Sequence, residues 1–259
     1  MAGIWVTGDL HGTVDIHKFN KQNLGDKFDF SGSKDENFMI ICGDFGLVWD
    51  WQGESKEEKY WLDWLNDRPF TVLFVSGNHE NYDRLFSDEY PIVEWHGGKV
   101  QKIRENVIHL MRGEVYEILG KTFWTFGGAR SHDIKDGVLD PDKDKALIKK
   151  WSKDEYCCKQ FRINHRSWWK EEVASQDEMD YGMDKLRECG NDVDFIITHC
   201  APQEIASMMG YYNVEKMTAY FNIIAHTVQF KNWFFGHYHR DMRIMSKFYC
   251  LYDHILQIA

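Results

Sequence analysis

Five short apolar runs each end in a side chain that can hold a metal ion, and this repeat constrains the fold more than any other feature of the chain. Ile4-Trp5-Val6-Thr7 delivers Gly8-Asp9-Leu10-His11-Gly12. Phe38-Met39-Ile40-Ile41-Cys42 delivers Gly43-Asp44, and Thr71-Val72-Leu73-Phe74-Val75-Ser76 delivers Gly77-Asn78-His79-Glu80. Phe195-Ile196-Ile197-Thr198 delivers His199, and Trp233-Phe234-Phe235 delivers Gly236-His237-Tyr238-His239. Runs of this length, rich in β-branched and aromatic residues, read as buried strands. Asp9 and His11 are two apart, so they share a side of an extended chain and can turn together onto one ion at a strand end. A hard carboxylate beside an imidazole suits Mn, Fe or Zn better than Ca. One such triplet arises often by chance, and a lone buried histidine such as His199 is ordinarily a satisfied core residue. Five strand endings of the same kind are not chance.

The segments between these runs supply the rest of an α/β domain. Residues 13–19 read as a short helix and 20–36 as a polar surface loop. Glu54 to Asp67 reads as a helix with Tyr60, Trp61, Trp64 and Leu65 on one stripe and Glu57, Glu58 and Lys59 mainly off it. Its acidic start suits the helix dipole, and Pro69 follows its end. Strand, helix and strand across 38–76 therefore make a right-handed βαβ unit with a parallel pair. Val115–Ile118 and Thr122–Phe126 flank Leu119-Gly120-Lys121, a hairpin signal.

Residues 134–165 read as an insertion. Asp140-Pro141-Asp142-Lys143-Asp144 resembles the start of a calcium loop, but Lys145 stands where an EF-hand needs Gly and Trp151 where it needs Glu. The better reading is a helix with Pro141 in its first turn and a helical remainder to about Phe161. A capping box at Ser175-Gln176-Asp177-Glu178 opens a helix that Gly190 stops. Asn213 to Gln229 is another, with Met217, Tyr220, Phe221 and Ile224 on one face. Two strand-like runs fill 241–258. With no repeat, linker or low-complexity stretch, residues 1–259 read as a single domain.

Composition narrows the function classes. The 43% hydrophobic content allows a full core, while the longest apolar runs are far too short to span a membrane. The first residues enter a strand directly, without a basic and then apolar leader, and none of the six cysteines has C-x-x-C spacing. Free thiols in a reducing cytoplasm are the expectation, and the vicinal pair Cys157-Cys158 reads as chance. The net charge of −10 argues against a broad nucleic-acid surface. It leaves room for a short nucleotide or terminal phosphate at a metal site, where cations supply the positive field. Gly120-Lys121-Thr122 is no P-loop, since Val115 stands where the earlier glycine belongs, and no Gly-x-Ser-x-Gly elbow occurs.

Taken in order, Gly-Asp-x-His-Gly, Gly-Asp, Gly-Asn-His-Glu, a lone His and Gly-His-x-His resemble the calcineurin-like metallophosphoesterase superfamily. The resemblance runs from about Trp5 to His239. It implies a four-layer αββα sandwich of two mixed β-sheets flanked by helices. It also implies a phosphoesterase with two divalent transition metal ions, Mn foremost, with Fe, Zn or Ni as alternatives. By that resemblance Asp9, His11 and His239 join Asp44 on one ion, Asn78, His199 and His237 join it on the other, and Asp44 bridges. A metal-bridging hydroxide would attack phosphorus in line. His79 carries over as a non-ligand that protonates the leaving group or supports the phosphoryl oxygens.

The protein-phosphatase branch braces this histidine with an Asp and grips phosphate with an Arg in Gly-Asp-x-x-Asp-Arg-Gly. Here the chain reads Gly43-Asp44-Phe45-Gly46-Leu47-Val48-Trp49, lacking both. Arg130, Arg162 and Arg166 are the substitutes. Gly127-Gly128-Ala129-x-Ser131-x-Asp133, then Arg162 leading into Trp168-Trp169-x-Glu171-Glu172, resembles a bacterial and phage branch. The expected activity leans to phosphodiesters or small nucleotides. A phosphomonoesterase or protein phosphatase is the alternative, and a non-catalytic interaction module on the same fold is a third reading.

Overall fold

A computed structural model describes residues 2–25, 28–153 and 158–259. Two large sheets pack face to face. The first has seven strands in the order β15 (Ile255–Gln257), β1 (Gly3–Thr7), β2 (Asn37–Ile41), β3 (Thr71–Phe74), β6 (Val107–Leu110), β5 (Gly98–Arg104), β4 (Ile92–Trp95). The second has six in the order β13 (Met242–Ile244), β14 (Phe248–Cys250), β12 (Gln229–Phe235), β11 (Asp192–Thr198), β8 (Lys121–Phe126), β7 (Val115–Ile118). The central strands β1, β2, β3 and β6 run parallel, as do β8, β11, β12 and β14, and antiparallel strands close the edges. β9 (Gly137–Leu139) and β10 (Phe161–Ile163) pair in parallel as a separate small sheet.

Alternation along each central strand builds the layers. Ile4, Val6, Phe38, Ile40, Leu73 and Val75 of the first sheet meet Phe123, Phe195, Ile197 and Phe234 of the second. Intervening residues face outward. Trp5, Met39, Ile41, Val72 and Phe74 pack under α2 (Lys56–Asn66) through Leu62 and Leu65. On the other sheet Trp124, Phe126, Ile196, Trp233 and Phe235 pack under α5 (Gln176–Glu188), α6 (Gln203–Met208) and α7 (Lys216–Thr227). Short helices α1 (Lys21–Leu24) and α3 (Tyr82–Leu85) lie in connections, and α4 (Lys145–Lys153) lies between β9 and β10. This is the expected helix–sheet–sheet–helix layering.

Several local expectations shift. The polar stretch 20–36 holds α1 and a 3₁₀ turn at Lys34–Glu36, and only Ile16–Phe19 of 13–19 is helical, again as 3₁₀. The buried stripe of α2 is Glu58, Leu62 and Leu65, while Tyr60 is exposed. Glu58 is inside because its carboxylate accepts from the Trp49, Asp50 and Ser55 amides and pairs with Arg84 at 2.9 Å. A buried charge with that many partners is tolerated, and a helical stripe drawn on hydrophobicity alone misses it. The 134–165 segment is only partly helical. Residues 141–143 are turns, α4 begins at Lys145, and β9 and β10 flank it. Residues 154–157, including Cys157, lie outside the described residues. Three short strands rather than two finish the chain.

The hairpin forms, but Lys121 belongs to β8 and pairs with Ile118, leaving a two-residue loop of Leu119 and Gly120, both at positive φ, the backbone of a type I′ turn. The capping box at Ser175 and Glu178 is formed, as is the buried face Met217, Tyr220, Phe221 and Ile224.

Candidate metal centre

All five expected strands form, and their carboxyl ends meet at one rim of the sandwich. Just beyond these ends the chain turns sharply. His11, Asp44, His237 and His239 all adopt positive φ, between 44° and 69°. Such backbone costs a non-glycine residue roughly 1 kcal/mol or more and clusters at functional sites. Backbone hydrogen bonds hold it in place, with the Leu10 and His11 amides donating to the Asp44 carbonyl at 3.0 and 2.7 Å.

Asp44 is the hub. Its Oδ2 lies 2.7 Å from His79 Nδ1 and 3.4 Å from His11 Nε2, and its Oδ1 lies 3.2 Å from His199 Nε2. Asn78 Oδ1 is also 3.2 Å from His199 Nε2. Asp9 Oδ2 lies 3.3 Å from His239 Nε2, and Asp9 accepts from the His237 amide at 2.9 Å. Donor atoms of Asp9, His11 and His239 fall within 4.8 Å of one another, as do those of His11, Asp44 and His79. His11 belongs to both groups, so the two share a wall.

The surroundings fit divalent ions. His199 Nδ1 donates to the Cys42 carbonyl at 2.8 Å, which turns Nε2 toward Asp44 and Asn78, where a divalent ion would take the place of its proton. His11 Nδ1 is likewise engaged by Asp15 at 2.9 Å, which turns Nε2 toward Asp44. The backbone is cleared for the carboxylates. A Cβ on Gly77 would stand 2.1 Å from Asp44 Oδ1, and one on Gly236 would stand 1.9 Å from Asp9 Oδ1. Only glycine permits either approach.

The electrostatics follow the same hub. Burial pushes the Asp44 carboxyl up, but the His199 and His79 charges and the His11 hydrogen bond outweigh it and hold it well below the usual range. Burial pulls the His11 and His199 imidazoles down, yet Asp44 beside each carries them up to about 9 and about 10. His237 stays well below its ordinary value through burial and the neighbouring His199, and so remains neutral, the form a metal takes.

The described structure brings Asp9, His11, Asp44, Asn78, His79, His199, His237 and His239 to one place. His237 stands apart from both close donor groups, and its Nε2 meets His132 Nε2 at 2.9 Å. Arg162, on β10, reaches the site. Its Nη2 lies 3.0 Å from His79 Nε2 and pairs with Asp133. Arg130 does not. It is exposed, and its charge acts on Glu215. Arg166 lies over the Trp51 ring instead, at 4.4 Å. Trp169 is a core residue, with its indole donating to Asp83 at 2.7 Å.

Sequence reasoning passed over Asp15, His132 and Tyr252. Asp15 was legible as a carboxylate four residues after His11. His132 lies inside the Gly-Gly-Ala-x-Ser-x-Asp stretch, but nothing local pairs it with His237. Tyr252, stacked on His239 with centroids 4.8 Å apart, comes from the far end of the chain and carried no signal.

A protein-family model described as calcineurin-like phosphoesterase matches residues 2–241, nearly the whole chain. The chain belongs to the calcineurin-like phosphoesterase family. The expected superfamily is thereby met, and the two mixed sheets with flanking helices are its fold. Family membership brings metal-dependent hydrolysis of phosphate esters as the chemistry to which this cluster of carboxylate, amide and imidazole groups is suited. No curated protein matches the chain. No helix among the described residues is long and apolar enough to cross a membrane.

Proposed function

We propose that the chain hydrolyses phosphodiesters or small nucleotides at a two-metal centre. The observation that carries the preference for diesters is a pair of clefts meeting at the histidines. One, of about 500 Å³, is walled by Trp49, His79, His239 and Tyr252. The other, of about 570 Å³, is walled by His132, Tyr211, Glu215, Tyr238 and His239. A diester has two organic arms, and a phosphorus placed at the shared His239 wall would send one into each cleft. The aromatic walls suit stacking on a base.

In this reading Asp9, His11, His239 and Asp44 hold one divalent ion, and Asn78, His199, His237 and Asp44 the other, with Mn the first choice. When bound, the pair would supply Lewis acidity and an activated water. The chain's own residues do the rest. Asp44 accepts from His79 Nδ1, which orients the ring. His79 Nε2 accepts from Arg162 in the free site, and once Arg162 turns to a phosphoryl oxygen and Nε2 gains a proton, it is the atom that passes that proton to the leaving oxygen. Arg162, held by Asp133, offers its remaining N–H groups to a phosphoryl oxygen. A cytoplasmic location belongs to the same reading, supported by the buried free thiols Cys42, Cys200 and Cys250.

The deciding experiment compares bis-p-nitrophenyl phosphate, p-nitrophenyl phosphate, cyclic nucleotides and short oligonucleotides on Mn-loaded protein. Higher kcat/KM on the diesters is expected. A preference for the monoester would replace this reading with a phosphomonoesterase, and no turnover with any divalent metal would leave an interaction module.

A further inference from the structure

Behind the histidine cluster stands a buried cation that the chemistry above does not use. Arg112 lies between β6 and β7, where the chain crosses from the first sheet to the second. Its side chain is 6% exposed. A buried charge is costly unless its donors are met, and four segments meet these. Nε donates to the Gly127 carbonyl at 2.9 Å and Nη1 to Glu178 Oε1 at 3.0 Å. Nη2 donates to the Glu171 carbonyl at 2.8 Å, on the segment that follows Arg162, and to Tyr82 Oη at 3.0 Å.

Tyr82 carries this hold to the cluster. The residue is buried, and burial pushes its phenol up against the opposing Arg112 charge, so the hydroxyl keeps its hydrogen. Having accepted from Arg112, it donates to the Gly77 carbonyl at 2.6 Å. That carbonyl shares a rigid peptide plane with the Asn78 nitrogen, so holding it sets the direction in which Asn78 and His79 leave the strand. The His79 amide then donates to Asp44 Oδ1 at 2.8 Å. The Gly127 turn, held by the same guanidinium, is tied to this strand end as well, through the Gly128 amide and the Ser76 carbonyl at 2.7 Å. The Asp9 side is held differently. There the His237 amide donates to Asp9 at 2.9 Å, and among the described residues no hydrogen bond joins Arg112 or Tyr82 to either of those loops.

We propose that Arg112 and Tyr82 are positioning residues, which hold the Gly77-Asn78-His79 turn in place against the segment that follows Arg162. For its consequence in catalysis the inference rests on the two-metal reading above, in which Asn78 is a ligand and His79 the proton donor.

Tyr82→Phe tests it by removing one hydroxyl and keeping the ring. In the metal-free protein, deuterium exchange at the His79 amide should quicken roughly tenfold, the scale of one lost hydrogen bond, while the His237 amide exchanges as in wild type. In a Mn titration followed by electron paramagnetic resonance, one of two ions should bind roughly tenfold more weakly and the other as before. Should that variant fold poorly, Arg112→Lys keeps the charge, replaces the fork by a single ammonium and should show the same one-sided quickening. Equal quickening at both amides would mean a general loss of packing, and no change at either would mean that the turn holds itself. Either result overturns the proposal. The functional reading fails on other evidence, namely wild type that binds fewer than two ions or turns over no phosphodiester, and the amide comparison, made without metal, is decided independently of it.

Discussion

Asp44 and Arg162 both reach His79, from opposite sides and from unlike settings. Asp44 stands just beyond β2, between parallel neighbours in the middle of a seven-stranded sheet, and is 1% exposed. Arg162 stands on a three-residue strand whose one partner among the described residues is another three-residue strand. Asp44 is tied by its backbone carbonyl and by three histidines. Arg162 is tied by one carboxylate and by His79 itself. The strand-end half of the site is thus part of the core, and disturbing it disturbs packing. The covering half, which carries Asp133 and Arg162, rests on a small two-stranded sheet outside both large sheets. An ion needs fixed ligands, whereas a substrate arm needs only a contact that closes on it.

This difference predicts a gradient of effects. Asp44→Asn should be the most damaging change. It removes the charge shared by both halves of the donor set, so both ions should be lost together and kcat/KM should fall by about 10³-fold or more. Elemental analysis checks the metal. Retention of one full equivalent would show that Asp44 does not bridge.

His79→Ala comes next and separates the proton from the ions. Metal content should be unchanged. Activity on alkyl or nucleoside esters should fall by about 10²- to 10⁴-fold, the usual scale of general acid catalysis. Activity on p-nitrophenyl esters should change far less, since that leaving group departs without a proton. Equal losses on both would move His79 to charge stabilisation or to ordering the cluster.

Arg162→Ala probes the covering half directly. Losing one charge-assisted contact predicts a ten- to hundredfold drop in kcat/KM, about 1.5–3 kcal/mol, with KM raised and metal content intact. Wild-type kinetics would make Arg162 a structural partner of Asp133 only.

The smallest effect concerns how the covering segment is fastened. Glu172 accepts from the Ser131 amide at 2.8 Å and from the Ser131 hydroxyl at 2.7 Å. Burial, ahead of those opposing hydrogen bonds, pushes its carboxyl up to about 7 from 4.5. A raised folded value means that stability is fully present below about pH 4.5 and is lost as pH rises through about 7. Glu172→Gln, which mimics the protonated form, lacks that loss. In thermal melts it should gain on wild type across this window by at most about 1.4 kcal/mol per pH unit. Parallel curves would mean that Glu172 remains ionised.

The gradient also explains what could be read early. Each ligand-bearing loop was legible because two signals coincided, an apolar run long enough only for a strand and a metal-capable side chain at its end. Parallel strands in one sheet share a direction, so local patterns placed Asp9, Asp44 and Asn78 at one sheet edge and His199 and His237 at another, and the packing of the two sheets brought these edges together. Arg162 was found through its surrounding motif, and Arg130 from the same motif was not brought to His79. Glu58 was misplaced because its burial depends on Arg84 and three amides, none of which its helical position reveals.

The sequence by itself determined the strands, their ligand-bearing ends, the capped helices and the family, since all of these rest on short-range periodicity and ordered motifs. Only the tertiary structure decided what faces those ligands. His132 against His237 and Arg162 beside His79 join segments 105 and 83 residues apart in the chain. Hydrogen bonds and ring contacts of that kind are set by how two sheets and a covering segment come to rest on one another, and no local pattern encodes that.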